Sequence, residues 1–150
     1  GACYMMNRIA VERLFPVPEH LPNEDTWLEL ALTYLPDVTL VHSDIVGCQW
    51  RVHANNSMYF RVPFDEFNRR YTARMVAIGQ FLQRHMNELT DQSRRTLAAL
   101  ARCEAYRAQG QFMWVLTSGA PLVPTLRAAA LSTPTMYEVR RRLYGFLSGW

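Results

Sequence analysis

A stripe of large apolar residues between Phe67 and Leu89 constrains the fold of this chain more than any other feature. Its members are Phe67, Tyr71, Met75, Ile78, Leu82, Met86 and Leu89. They recur at steps of three and four residues, with a mean of about 3.67, which is close to the period of an α-helix. The pattern predicts a helix from about Phe64 to Leu89, with one side buried along about six turns.

A second helix is predicted directly after the first, from about residue 92 to residue 109. Thr90 or Asp91 can cap its start, and Gly110 is a natural end. Its expected inward-facing residues are mostly small: Leu97, Leu100, Ala101, Ala105 and Ala108. Because small side chains let two helices approach closely, we expect this helix to pack against the long one as an antiparallel hairpin.

Helical patterns also occupy both ends of the chain. Two helices are predicted near the N-terminus, at about residues 4–15 and 23–35. After Gly110, residues 112–116 are apolar and leave helix and strand open, and a short helix is predicted over residues 124–131. Thr133 and Pro134 open a terminal helix through about residue 147. We expect its apolar face to turn toward the core: Met136, Val139, Leu143, Phe146 and Leu147.

Residues 38–62 have a different pattern, in which apolar and polar residues alternate. One apolar set is Val46, Cys48, Trp50, Val52 and Ala54, and another is Met58, Phe60 and Val62. Asn55-Asn56-Ser57 between them is typical of a turn. We therefore predict an α+β fold, a mostly helical single globular domain over residues 1–150. Its small antiparallel three-stranded meander (about 38–62) lies between two N-terminal helices and a four-helix C-terminal half.

The bulk composition suits one folded domain that does not cross a membrane. Of the 150 residues, 49% are hydrophobic and 19% are charged, which is typical of a globular protein. No apolar run reaches the roughly 18 residues that a transmembrane helix needs. Three distant cysteines, an odd number, do not suggest a disulfide framework, so we expect a reducing intracellular setting, in the cytoplasm or nucleus. Asn55 matches the N-glycosylation pattern, but there we expect an unmodified turn.

All 16 basic side chains are arginines, and the chain contains no lysine. A GC-rich coding sequence is one explanation. The other is avoidance of side-chain amines, which accept ubiquitin and acetyl groups, whereas arginine keeps the charge. The second explanation suggests a viral or pathogen factor that acts inside host cells.

The net charge of +3 conceals a strong asymmetry along the chain. Residues 1–66 carry four arginines and nine acidic residues, whereas residues 67–150 carry twelve arginines and four acidic residues. Arginines that gather on one face would bind phosphates or carboxylates through two hydrogen bonds each. The candidate binding residues, for a protein partner or a nucleic acid, are Arg69, Arg70, Arg74, Arg94, Arg95, Arg140, Arg141 and Arg142.

These features favour a non-enzymatic binding, adaptor or regulatory protein that acts through its arginine-rich helical half. No motif for catalysis, a metal or a cofactor is visible, so we expect no enzyme activity and no cofactor. A protein partner is the first expectation, and a nucleic acid bound by the basic helices is the alternative. A second alternative is a small cysteine-dependent hydrolase, for example with Cys48 and His53. The terminal segment from Met136 to Trp150 also fits a membrane-surface or partner-binding helix.

Overall fold

The computed structural model of the chain describes residues 5–39, 41 and 62–148. Within these ranges there are seven α-helices: α1 (Arg8–Leu14), α2 (Asp25–Tyr34), α3 (Phe64–Arg84), α4 (Asp91–Ala108), α5 (Phe112–Leu116), α6 (Leu122–Ala129) and α7 (Pro134–Ser148). None of the described residues lies in a β-strand. The predicted α+β class is therefore wrong for this part of the chain, whose regular structure is entirely helical.

The predicted meander at residues 38–62 falls almost wholly on residues 40 and 42–61, which lie outside the described ranges. The turn at Asn55 lies outside them too. At the edges of the predicted meander, Val38, Val41 and Val62 are described, and none of the three is in a strand. Alternation of apolar and polar residues does not make a strand by itself, because a strand also needs a hydrogen-bonded neighbour.

The main core lies where α2 packs against α3 and α4. Trp27 of α2 and Phe81 of α3 are fully buried, and their rings meet edge to face with centroids 5.1 Å apart. Leu97 of α4 is buried in the same cluster. The Trp27 indole N–H donates to the Leu14 carbonyl at 3.0 Å, so the end of α1 is tied to this core. Large aromatic rings with satisfied polar atoms are strong sources of core stability.

The long helix is shorter than its apolar stripe predicts. α3 ends at Arg84, and a turn follows in which the Glu88 and Leu89 N–H groups donate to the His85 carbonyl. The His85 ring is buried, and its Nδ1 lies 2.7 Å from the Glu88 carboxylate. Leu89 is still buried, but Met86 is exposed. The last residues of the stripe therefore lie in a turn, which the buried histidine and its glutamate partner stabilise.

α4 lies between two clusters of buried residues. Leu97 faces the main core, and the other side of α4 contributes to a second, smaller core made of Cys103, Val115, Ala128 and Ala129. Because α4 has neighbours on two sides, it buries a broad arc that includes Arg107. The predicted inward-facing Ala105 is exposed, so that part of the prediction is wrong.

Several predicted boundaries are confirmed. The Thr90 hydroxyl accepts a hydrogen bond from the Ser93 N–H at 3.1 Å and caps α4. Gly110 follows the end of α4 with φ of 73°, a conformation that glycine adopts without strain.

Residues 112–116 form a helix, so five helices rather than four follow residue 62. None of the described helices has both the length and the apolar composition that crossing a bilayer requires.

Candidate functional site

Within the described part of the chain, one aromatic side chain of α7 packs against α3. The Tyr137 ring stacks on Phe67 with centroids 4.7 Å apart and lies 5.7 Å from the Phe64 ring. Its hydroxyl donates to the Val62 carbonyl at 3.1 Å. Among the α7 residues whose side chains are described, only Tyr137 is buried. The contact with the N-terminal end of α3 therefore sets the rotation of α7 about its own axis.

The opposite side of α7 carries a continuous apolar stripe that faces solvent. We define the α7 stripe as Met136, Val139, Leu143 and Phe146, which are between 38% and 86% exposed. At about 100° per residue, these four side chains span about 80° of the helix, centred roughly opposite Tyr137. The prediction that this face turns toward the core is wrong. Tyr137, which is one position away from Met136, occupies the inward side instead.

Two of the three arginines of α7 border the α7 stripe, and the third lies on the opposite side of the helix. On the helical projection, Arg140 and Arg142 border its two sides at about 40° from its edges. Arg141 lies next to Tyr137, with its guanidinium 5.9 Å from the ring centroid. Arg141 and Arg142 both approach Glu138, at 3.3 and 3.5 Å. One glutamate for three arginines leaves α7 with a net positive charge, and the Arg142 side chain is 80% exposed.

The predicted arginines of α3 lie in different environments. Arg69 is exposed, and Arg70 pairs with Glu66 one turn earlier. Arg74 is half-buried and donates to the Thr26 hydroxyl on α2. Arg69 and Arg70 are thus available at the end of α3 where α7 is attached, whereas Arg74 joins two helices of the core.

The predicted arginines of α4 lie at the other end of the helical hairpin. Arg94 pairs with Asp91 and also donates to the Met86 carbonyl at 3.4 Å, and Arg95 donates to Gln92 at 3.4 Å. Both follow the turn after α3, about 20 Å along that helix from Arg70. The eight predicted binding residues therefore do not form one continuous face. Arg69, Arg70 and the three arginines of α7 share one end of the hairpin.

Arg107, one of the twelve arginines after residue 66, belongs to the interior. Its side chain is fully buried and forms hydrogen bonds with Glu104, with Asn68 at 2.6 Å and with Thr72 at 2.9 Å. Its guanidinium also lies 4.6 Å from the Tyr71 ring centroid. Burial raises the pKa of Glu104 above its usual value, although the hydrogen bond from Arg107 opposes the shift. This network joins α3 to α4, and full burial keeps the guanidinium out of reach of a ligand.

The described residues offer little support for nucleophilic or metal chemistry. Cys103 is a free, buried thiol, and burial raises its pKa, so the reactive thiolate is scarce at neutral pH. Within the described ranges no three His, Cys, Asp or Glu side chains come together to hold a metal ion. The pair Cys48 and His53, suggested by the hydrolase alternative, lies outside those ranges.

No known protein family, curated protein or solved structure matches the chain. The function is therefore inferred from the geometry of the chain's own surfaces.

The sequence identifies the arginines of α7 but misassigns its apolar stripe. The spacing of Met136, Val139, Leu143 and Phe146 is the same whether the stripe is buried or exposed, so periodicity carries no signal for the difference. One sequence signal that bears on the exposure of the stripe is the run Arg140-Arg141-Arg142. Its charged side chains cover about 200° of the helix and leave little neutral polar surface.

Proposed function

We propose that the chain is a non-enzymatic adaptor that binds a protein partner through α7. The observation that carries the proposal is the α7 stripe, four large apolar side chains exposed side by side on a helix anchored from its other face. Contiguous exposed apolar surface of this kind is uncommon on a monomer and marks interaction sites. The free, buried thiol of Cys103 fits a reducing intracellular setting.

The spacing of the α7 stripe favours a helical partner. Its steps of three, four and three residues are those of the seam along which two helices pack in a coiled coil. A partner helix with apolar residues at the same spacing would cover all four side chains at once. Such a helix-in-groove contact is a common mode of peptide recognition.

The charges bordering the α7 stripe favour an acidic partner. Arg140 and Arg142 lie where the flanking residues of a paired helix would approach. Glutamates or aspartates at those positions would form charge-assisted hydrogen bonds with the guanidinium groups. A second copy of α7 would bring the same net positive charge, so self-pairing is disfavoured relative to an acidic amphipathic helix.

A synthetic acidic helix tests the proposal directly. The probe is a peptide of about three heptads with Leu at the two seam positions and Glu at both flanking positions, which keeps it from pairing with itself at neutral pH. Its matched control is a scrambled peptide of the same composition. We expect fluorescence anisotropy to show binding of the ordered peptide, weakened at least about tenfold by Val139→Ser/Leu143→Ser.

Two further variants separate the apolar and charge contributions. Arg140→Glu/Arg142→Glu should weaken binding and reverse its salt dependence, because attraction is replaced by a repulsion that salt screens. Leu122→Ser/Val123→Ser, which alters exposed apolar residues on α6, should bind the peptide like the wild type. Equal binding of the ordered and scrambled peptides, or no effect of the stripe substitutions, would show that α7 is not the contact surface.

A further inference from the structure

A second exposed apolar surface lies away from α7, on the two short helices α5 and α6. We define the α5–α6 patch as Met113, Trp114, Leu116, Leu122, Val123 and Leu126, which are between 43% and 75% exposed. The two helices are joined by residues 117–121 and pack against each other and against α4. None of these six side chains takes part in the contact proposed for α7.

The inner faces of these helices are built from small or medium residues, which leaves the large ones outside. α5 buries Val115, and α6 buries Ala128 and Ala129 against Cys103. On α6, Leu122, Val123 and Leu126 lie within about 100° of one another on the outer side. The exposed apolar side chains are therefore a consequence of how α5 and α6 are anchored to α4.

Polar groups around the α5–α6 patch are already paired within the chain. The Thr117 hydroxyl donates to the Met113 carbonyl at 3.2 Å, and the Thr125 hydroxyl donates to the Ala120 carbonyl at 3.1 Å. The Ser118 hydroxyl accepts from the Ala120 N–H at 3.4 Å. A protein interface uses a rim of polar groups to direct its partner. Here these hydroxyls are bonded internally, so the patch suits a partner that needs no directed hydrogen bonds.

Two exposed arginines, Arg102 and Arg127, lie next to the patch, and the Glu104 carboxylate that interacts with the Arg127 charge is mostly buried. The sequence contains no Asp or Glu between Glu104 and Glu138. Arg127 follows Leu126 on α6 and is exposed. Arg102 is exposed on α4 and donates to the Ser118 carbonyl at 3.4 Å, which places its guanidinium at the turn between α5 and α6. An anionic surface could therefore approach the patch without meeting a carboxylate from this stretch of sequence.

We propose that the α5–α6 patch docks on the surface of an anionic phospholipid bilayer. Hydrocarbon chains accept exposed Leu, Val and Met side chains without shape matching, and a Trp ring is favoured at the bilayer interface. Arg102 and Arg127 would contact the lipid phosphates and carboxylates. The combination of an exposed Trp114, an apolar outer face on α6 and two exposed arginines beside the patch fits this partner better than a second protein. With α7 binding a protein, the chain would bring that partner to a membrane surface.

Vesicle sedimentation with the full chain tests this surface. The probes are vesicles of phosphatidylcholine alone and vesicles with about 30% phosphatidylserine. We expect binding to the anionic vesicles, at least about fivefold stronger than to the neutral ones and reduced by about 0.5 M salt. Leu122→Ser/Val123→Ser should weaken that binding at least about tenfold, and its circular dichroism and urea midpoint should match the wild type because both residues are exposed.

A spectroscopic readout locates the contact. Trp114 emission should shift to the blue when anionic vesicles are added, and the shift should disappear in Trp114→Phe while most of the binding remains, since Phe keeps an apolar ring. The matched control is Val139→Ser/Leu143→Ser, which changes the α7 stripe and should bind vesicles like the wild type.

Several outcomes would overturn the membrane proposal. One is absence of binding to anionic vesicles, and another is unchanged binding by Leu122→Ser/Val123→Ser. A third is light scattering that shows a dimer dissociated by the same substitutions, because the patch would then be an interface between two copies. Loss of vesicle binding in Val139→Ser/Leu143→Ser alone would assign the lipid contact to α7. Failure of the acidic peptide to bind α7 would leave the α5–α6 result unaffected.

Discussion

Two apolar stripes in this protein have similar spacing and opposite environments. The stripe of α3 and the following turn contributes Ile78 and Leu89 to the main core, whereas Val139 and Leu143 in the α7 stripe face solvent. The comparison shows that helical periodicity identifies which side chains share a face. It does not show whether another element covers that face.

The neighbours of each helix account for the difference. α3 is packed by α2 and α4, which bring Trp27 and Leu97 to its apolar face. Among the α7 side chains that the structure describes, Tyr137 is the buried one; its ring stacks on Phe67 and its hydroxyl is hydrogen-bonded. A stacked aromatic ring with a satisfied hydroxyl is worth more at that contact than an aliphatic side chain, so Tyr137 faces inward.

The largest expected contrast is between two phenylalanines. Phe81→Ala should lower the free energy of unfolding by about 3–5 kcal/mol, because it leaves a cavity beside Trp27. Phe146→Ala, at an exposed end of the α7 stripe, should change it by less than about 0.5 kcal/mol. Urea denaturation followed by circular dichroism measures both. Similar losses in the two variants would show that the α7 stripe is covered in the free protein.

Removing the buried cation should have the next largest effect. Arg107→Met leaves the Glu104 carboxylate without its partner and should cost about 3 kcal/mol at neutral pH. Burial already raises the pKa of Glu104, so this carboxylate binds a proton more readily in the folded state than in the unfolded chain. In the variant the loss of stability should shrink as the pH falls toward the usual carboxyl value of 4.5. Adding Glu104→Gln should recover part of the loss, and a loss independent of pH would contradict the buried-charge explanation.

A smaller effect is expected at the attachment of α7. Tyr137→Phe keeps the stacked ring but removes the hydrogen bond to the Val62 carbonyl, at a cost of about 1 kcal/mol. Hydrogen exchange of the α7 amides should accelerate about fivefold, while exchange in α3 and α4 stays unchanged. Phe146→Ala is the matched control on the same helix. Unchanged exchange in Tyr137→Phe would mean that contacts other than Tyr137 hold α7.

The smallest effect concerns the turn after α3. Partial burial raises the pKa of Glu88, but hydrogen bonds from His85 and Arg13 outweigh it, and the net pKa lies below its usual value of 4.5. A lowered carboxyl pKa contributes stability that is present above 4.5 and is lost as the pH falls through the folded-state value. Glu88→Gln should therefore be less stable than the wild type at neutral pH, and the difference should vanish in acid. Urea midpoints measured across this pH range provide the test.

The sequence predicted individual helices better than their packing. Thr90, Gly110 and Thr133 are local signals whose geometry depends on a few neighbouring residues, and all three act as expected. The end of α3 was missed because it depends on His85, whose burial involves residues distant in sequence. The inward face of α4 was partly misassigned because two cores meet on that helix.

The candidate binding residues show the same limit. Sequence alone identified the charge of Arg140, Arg141 and Arg142 and their position on a helix. It carries no sign that Arg107, one of the twelve arginines after residue 66, is fully buried in a network with Glu104. A buried arginine has the same sequence signature as one in solvent, because its amide and hydroxyl partners, Asn68 and Thr72, come from another helix.

By itself, the sequence determined the helical character of the ends of the chain, the capping of α4 and α7 and the excess of arginine after residue 66. These properties depend on local backbone preferences and on composition. Tertiary structure alone decided which face of α7 is exposed, which arginine is interior and which apolar residues of α5 and α6 remain uncovered. Each of these outcomes is a competition between side chains for the same neighbouring helix, and its result depends on contacts between residues far apart in the chain.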